Sequence, residues 1–262
     1  MNRLAAWFSR LNQACAMCGQ PGRPKTRARQ LPVRHPAPRK HLESLCGACR
    51  EAMPWIVYPH CRVCGRGETC GDCARRTVRH YEACRCAVRY DDAMKDWLAL
   101  YKYRGQERLG AVLAAMAAFA LERLEDSLLA DAPADPTPLT SAHPIFQAIT
   151  SVPLSRERLA ERGFNQAERI ARHLSEWYRI PYRPLLRRVR HTEKQSLKSR
   201  RSRVTDMRGI FALEDTNAIA PPAGNILLLD DVYTTGSTMN ECSRVLREAS
   251  SLSTVYGITW AR

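Results

Sequence analysis

The sequence of 262 residues contains no apolar run long enough to span a membrane. Ala111 to Ala120 is apolar, but charged residues flank it within a few positions, so it reads as a core helix. Residues 1–14 offer only a short apolar patch, Leu4 to Phe8, fitting a short amphipathic helix and not a secretory signal. A cytoplasmic protein without a transmembrane segment is therefore expected. Acidic residues are under-represented: 26 Asp and Glu stand against 41 Lys and Arg, a formal net charge of +15. That balance favours an anionic partner such as nucleic acid, a nucleotide or a membrane surface. Apolar residues are also scarce over roughly the first 80 positions, too few to fold a module by burial alone.

Cysteine is what that region has instead. Eleven cysteines in a cytosolic chain do not read as a disulfide framework. Eight of them form four CxxC pairs within sixty residues: Cys15 and Cys18, Cys46 and Cys49, Cys61 and Cys64, Cys70 and Cys73. A two-residue gap turns both thiolates of a pair toward one ion, and two pairs complete a tetrahedral zinc site. Two structural zinc ions are expected, and sequential pairing puts the first four cysteines on one and the last four on the other. The spacing does not exclude interleaved pairing. Zinc sites of this kind contribute roughly 10–16 kcal/mol to folding. A redox reading is disfavoured, because a thioredoxin-like pair stands alone after a strand. Cys84 and Cys86 lie in CRCAVRY, read as a strand, and Cys242 is read as packed in the last helix.

The second feature is Ile226 to Thr238, ILLLDDVYTTGST. Four apolar residues fit a strand buried on both faces, as in a parallel sheet. Asp230 and Asp231 follow at its C-terminal end, then a Thr/Gly-rich turn, then a helical pattern from about Met239 to Glu248. A helix N-terminus presents unpaired N–H groups and partial positive charge to a phosphate. Gly236 lets the backbone approach a ligand closely, Thr234, Thr235, Ser237 and Thr238 add hydroxyls, and the two carboxylates can accept hydrogen bonds from vicinal sugar hydroxyls. The chemistry is that of a sugar-phosphate site. The plainer alternative is a buried strand followed by an ordinary capped helix.

Elsewhere, Arg23 to His41 reads as an exposed, mobile basic loop. Helices are expected from about Ala93 to Tyr101 and Leu109 to Leu129, with a proline-rich connection over 131–144. Ile145 to Pro153 reads as a strand ending at Ser155, Arg156 and Arg158, a turn able to hold pyrophosphate, or simply a capped helix with solvated arginines. A helix follows from about Asn165 to Tyr178. Residues 185–208 carry Arg187, Arg188, Arg190, Lys194, Lys198, Arg200, Arg201, Arg203 and Arg208 against Glu193 and Asp206, and read as a basic loop able to close over a polyanion. Val255 to Trp260 reads as a closing strand. Strands alternating with helices from 145 to 262 predict an α/β domain with a parallel sheet.

The ILLLDDVYTTGST stretch resembles the ribose-5-phosphate signature of type I phosphoribosyltransferases, which use phosphoribosyl pyrophosphate with magnesium. That resemblance implies that Asp230 and Asp231 hold the ribose hydroxyls and that Thr234 to Thr238 cradle the 5′-phosphate. The four cysteine pairs, Lys102-Tyr103-Arg104-Gly105, VPLSRERLAERGFNQAERIA, RRVRHTEKQS and this stretch occur in an order that resembles the ComF family, including GntX-type proteins, over essentially the whole chain. The resemblance implies a double zinc-ribbon module over 1–82, a phosphoribosyltransferase-like domain over 83–262, and a part in DNA uptake during competence or in DNA utilisation. It implies single-stranded DNA and competence or DNA-processing proteins as partners, and leaves two classes open: a phosphoribosyltransferase with an unnamed acceptor, or a non-catalytic nucleic-acid-binding protein. Amidophosphoribosyl transfer is disfavoured, since there is no glutaminase domain and Cys15 is committed to zinc.

Overall fold

The computed structural model describes residues 14–20, 30–103, 108–131, 145–189, 207–214 and 220–262. Its centre is a four-stranded, wholly parallel sheet in the order β1–β6–β5–β2. The strands are β1 (Cys84–Val88), β2 (Ala148–Ser151), β5 (Gly224–Val232) and β6 (Ser253–Ala261), while β3 (Leu186–Arg188) and β4 (Phe211–Leu213) form a separate antiparallel pair. The apolar run in β5 is buried on both faces. Leu227 and Leu229 join a core with Ile258 and Trp260, and Ile226 and Leu228 join another with Val255. The alternation follows from the period of two along a strand.

Helices cover both faces. On one lie α5 (Arg108–Ala130) and α7 (Gln166–Tyr178). The segment Leu113–Leu121 of α5 is buried all round, as befits a helix between a sheet and other helices. On the other face lies α8 (Ser237–Ala249), whose Met239, Cys242, Val245 and Leu246 meet β5, β6 and the β3–β4 pair. The remaining helices are α1 (Pro36–Glu43), α2 (Gly47–Glu51), α3 (Gly71–Ala74), α4 (Asp92–Tyr103) and α6 (Arg156–Arg162).

The expected helices and strands fall close to their places, with one correction. The basic stretch from Arg23 to His41 is not a loop throughout. From Pro36 it forms α1, capped by the His35 side chain and opened by a proline, which suits a first turn. Pro38 and Leu42 are buried, and α1 packs on α5. After β2 the capped helix, one of the two readings of that turn, is present: α6 begins at Arg156, with Ser155 as its cap. Residues 1–13, the Arg23–Arg29 part of the basic stretch, most of the 131–144 connection and residues 190–206 lie outside the described residues.

Candidate functional site

The strand ends build the site. β5 runs through Asp230 and Asp231, and at Gly236 the chain turns with φ +77° into α8. A Cβ at Gly236 would lie 2.1 Å from the Tyr233 hydroxyl, so both the conformation and the close approach require glycine. The cap residue of α8, Gly236, brings no side chain to the helix start. Thr235 Oγ1 accepts from the Ser237 N–H (3.4 Å) and lies 2.9 Å from Ser237 Oγ. Gly236 and Ser237 are buried, Thr235 and Thr238 half-buried, and Thr234 exposed.

The two carboxylates differ. Asp231 pairs with Lys102 of α4 at 2.5 Å, and Asp230 accepts the Asp231 N–H at 2.9 Å. Burial raises both. For Asp231 the Lys102 ammonium outweighs it and holds the carboxyl below its usual range, whereas burial and the neighbouring Asp231 charge push Asp230 up to about 8. Asp230 forms no ion pair among the described residues, so its carboxyl is held largely protonated near neutral pH, and a cation arriving beside it would favour its ionised form. Two adjacent carboxyl groups at a strand end can accept hydrogen bonds from vicinal hydroxyls or, when ionised, hold a hydrated divalent cation.

Beside β5 in the sheet, β2 ends at Ser151 and leads into Ser155. Ser155 is buried and its hydroxyl accepts the Arg158 N–H, while Arg156 is exposed. Asn165 caps α7 and donates to the Val152 carbonyl at 3.0 Å, tying that helix to the end of β2. Arg188 lies in the electrostatic reach of Arg158 and Asp230, and burial first, then Arg158, lowers its guanidinium. Arg187 donates to the Leu213 carbonyl at 2.9 Å. Arg187 and Arg188 are thus partly buried strand residues. Of the other seven basic positions singled out, Arg208 is exposed, and Arg190, Lys194, Lys198, Arg200, Arg201 and Arg203 lie outside the described residues.

The cysteines gather as sequential quartets: Cys15, Cys18, Cys46 and Cys49, and separately Cys61, Cys64, Cys70 and Cys73, with the four sulfurs of each within 4.8 Å of one another. Sulfurs 2.3 Å from a tetrahedral zinc would stand about 3.8 Å apart. Cys18 and Cys46 are 3.7 Å apart and Cys64 and Cys70 3.5 Å, so both quartets fit zinc. Gly19 and Gly65 follow a CxxC pair at φ +72° and +69°, donating back to Cys15 and Cys61 as each knuckle closes. Cys84 and Cys86 stand outside both quartets as buried strand residues.

Three residues near the site escaped the sequence reading as contacts. They are Lys102 on Asp231, Arg76 donating to the Thr235 carbonyl (2.7 Å), and Tyr81, whose hydroxyl lies 2.6 Å from that of Tyr233. Only Lys102 had a local signal, its place in the Lys102–Gly105 segment. No helix among the described residues is long and apolar enough to cross a membrane.

No protein-family model matches the chain. It is 30% identical over 230 residues to competence protein ComFC of Bacillus subtilis, covering 84% of this chain and 85% of that one. It is 27% identical over 210 residues to competence protein F of Haemophilus influenzae, covering 78% and 84%. Over 100 residues it is 36% identical to DNA utilization protein YhgH of Escherichia coli, covering 37% and 42%. With that coverage by ComFC, the two cysteine quartets and the parallel sheet behind the Asp230–Asp231 turn, the chain belongs to the ComF family of competence proteins.

Proposed function

We propose that this protein takes part in DNA uptake or utilisation, that its sheet-edge site binds phosphoribosyl pyrophosphate with magnesium, and that it handles single-stranded DNA. The supporting observation is the union of the Asp230–Asp231 pair, the Gly236 turn and the glycine-led, hydroxyl-lined start of α8 at one end of β5. The competence and DNA-utilisation relatives support the biological setting, and the net charge of +15 supports a nucleic-acid partner.

In this reading Asp230 and Asp231 accept hydrogen bonds from the ribose hydroxyls. The backbone N–H groups and hydroxyls of Thr234 to Thr238 hold the 5′-phosphate at the helix start. Lys102 keeps Asp231 ionised and fixed in place. Ser155 and Arg156, at the end of β2, face the pyrophosphate, with Arg158 and Arg188 adding positive charge nearby. Bound magnesium supplies charge neutralisation on the pyrophosphate. If transfer occurs, the bond from ribose C1 to pyrophosphate breaks as one to the acceptor forms, and the acceptor's proton passes to solvent. The basic residues from Arg187 to Arg203 are the proposed DNA contacts.

Titration calorimetry of zinc-loaded protein with phosphoribosyl pyrophosphate and magnesium, with and without a short single-stranded DNA, tests this. Saturable binding lost in Asp230→Asn/Asp231→Asn, with DNA affinity retained, is expected. DNA binding without any phosphoribosyl pyrophosphate binding would reduce the site to a scaffold. Loss of DNA binding in the double variant while it still binds the sugar phosphate would overturn this division of labour.

A further inference from the structure

The second cysteine quartet does more than close its own knuckles. The chain leaving Cys73 runs directly behind the turn that follows Asp231. Arg76 donates to the Thr235 carbonyl at 2.7 Å, the Tyr81 and Tyr233 hydroxyls meet at 2.6 Å in a buried setting, and the His80 N–H donates to Asn240 Oδ1 at 2.9 Å. These contacts grip the start, the middle and the first helical turn of one loop.

The loop is built so that such a grip matters. The Gly236 backbone rests on the Tyr233 phenol. Whatever fixes the Tyr233 ring therefore fixes the peptide that turns into α8 and aims its N–H groups. Arg262 strengthens the connection from the other side. Its guanidinium lies 4.2 Å from the Tyr233 ring centroid, 3.5 Å from Cys70 Sγ and 3.7 Å from Asp72, with 2% of the side chain exposed. Four thiolates around a divalent ion carry about two net negative charges, so a buried cation beside Cys70 is attracted to the loaded quartet while it stacks on the loop's tyrosine.

The first quartet has no such reach. Among the described residues, no hydrogen bond or ion pair joins 14–53 to 230–249. Its segment is held instead to α5, through Arg34 on Asp126 and through the Arg34 and His35 N–H groups on Glu122.

We propose that the second quartet is the brace of the phosphate loop, with Arg76 and Tyr81 as its positioning residues. Metal binding at Cys61, Cys64, Cys70 and Cys73 and sugar-phosphate binding at Thr234 to Thr238 then favour each other by the same factor, as linkage requires. The second half of this statement rests on the sugar-phosphate reading above, and the first half does not.

The test is amide hydrogen exchange on the full, zinc-loaded chain, followed by calorimetry with phosphoribosyl pyrophosphate and magnesium. Arg76→Ala and Tyr81→Phe should keep both metals yet speed exchange over residues 233–240 by about tenfold, since each loses one hydrogen bond to the loop. Arg76→Lys should restore most of the protection, because an ammonium can also reach a carbonyl. Cys70→Ser should lose one metal and expose the same amides, whereas Cys18→Ser should lose the other metal and leave them protected. Sugar-phosphate affinity should fall about tenfold in Arg76→Ala and stay unchanged in Cys18→Ser. Unchanged exchange in Arg76→Ala and Cys70→Ser, or an equal change in Cys18→Ser, would overturn the brace. Should the wild-type chain bind no phosphoribosyl pyrophosphate while the exchange pattern holds, the sugar-phosphate reading fails and the brace stands.

Discussion

The two cysteine quartets have the same ligands and nearly the same spacing, yet they are fastened to different parts of the molecule. The first sits in the same hydrophobic core as α5, and its segment is tied to that helix through Asp126, which pairs with Arg34, and through the buried Glu122, which accepts from the Arg34 and His35 N–H groups and from the Tyr178 hydroxyl. The second lies backbone-to-backbone against the outer strand. The Cys84 N–H donates to the Val63 carbonyl, Arg85 donates to the Arg62 carbonyl, and a Cβ at Gly65 would come within 2.8 Å of the Cys84 oxygen. One quartet thus secures a helical layer, while the other shields a strand edge and reaches the turn from Tyr233 into α8. The consequence of a metal site depends on what its knuckles touch, which CxxC spacing does not encode.

The largest effects should come from the metals themselves. Cys64→Ser and Cys15→Ser should each reduce zinc content by one ion per chain in mass spectrometry. Either should lower the melting temperature by more than 10 °C, because structural zinc contributes roughly 10–16 kcal/mol. The comparison sharpens if only Cys64→Ser also loses phosphoribosyl pyrophosphate binding. Next, Glu122→Ala leaves three donors without their acceptor and should cost about 3 kcal/mol or more in denaturant unfolding, at about 1–3 kcal/mol for each buried donor left unsatisfied. Sugar-phosphate affinity should change less than twofold. Gly236→Ala, on the other side of the comparison, forces a Cβ into the Tyr233 hydroxyl at a positive φ and should cost about 1–3 kcal/mol. Its calorimetric loss of sugar-phosphate binding should far exceed its loss of stability.

The smallest effect is one of pH, on the first quartet's side. Burial, then the Glu122 charge, pushes Glu125 from 4.5 up to about 7 in the folded chain. Between those values the folded state keeps a proton that the unfolded state has lost. Its stabilising share is therefore fully present below about pH 4.5 and is lost as pH rises through about 7. Glu125→Gln should remove this slope and stabilise the protein at pH 8 by about 1 kcal/mol, less than the full shift because the side chain is partly in solvent. Unfolding by denaturant at pH 5 and pH 8 reads it directly.

How much the sequence disclosed follows from how local each signal is. The β5 run, its acid pair, the Gly236 turn and the CxxC knuckles all complete their meaning within about a dozen residues, and all stand where expected. Ser155 was visible as a cap or as a ligand, and the structure shows the cap. α1 was hidden because its composition is basic and proline-rich. Only its contact with α5, some 80 positions away, explains why Pro38 and Leu42 are buried. Arg76 and Tyr81 were hidden more deeply, since their partners Thr235 and Tyr233 lie 159 and 152 positions away and nothing nearby announces them.

The strand order β1–β6–β5–β2 also sets a timetable for synthesis. β1 leaves the ribosome early, yet its ladder partner is β6, more than 160 positions later. β2 must wait for β5, and β1 for β6, before either finds its partner in the sheet. The cysteine quartets, by contrast, are complete once residue 73 is out, and each closes over a short span of chain. Metal loading can precede sheet assembly, leaving the knuckles already folded when β6 arrives to dock against β1. A nascent chain starved of zinc would instead leave β1 open on both edges, the knuckle's as well as the one β6 later takes, for most of its translation, the state from which mispairing with another chain begins.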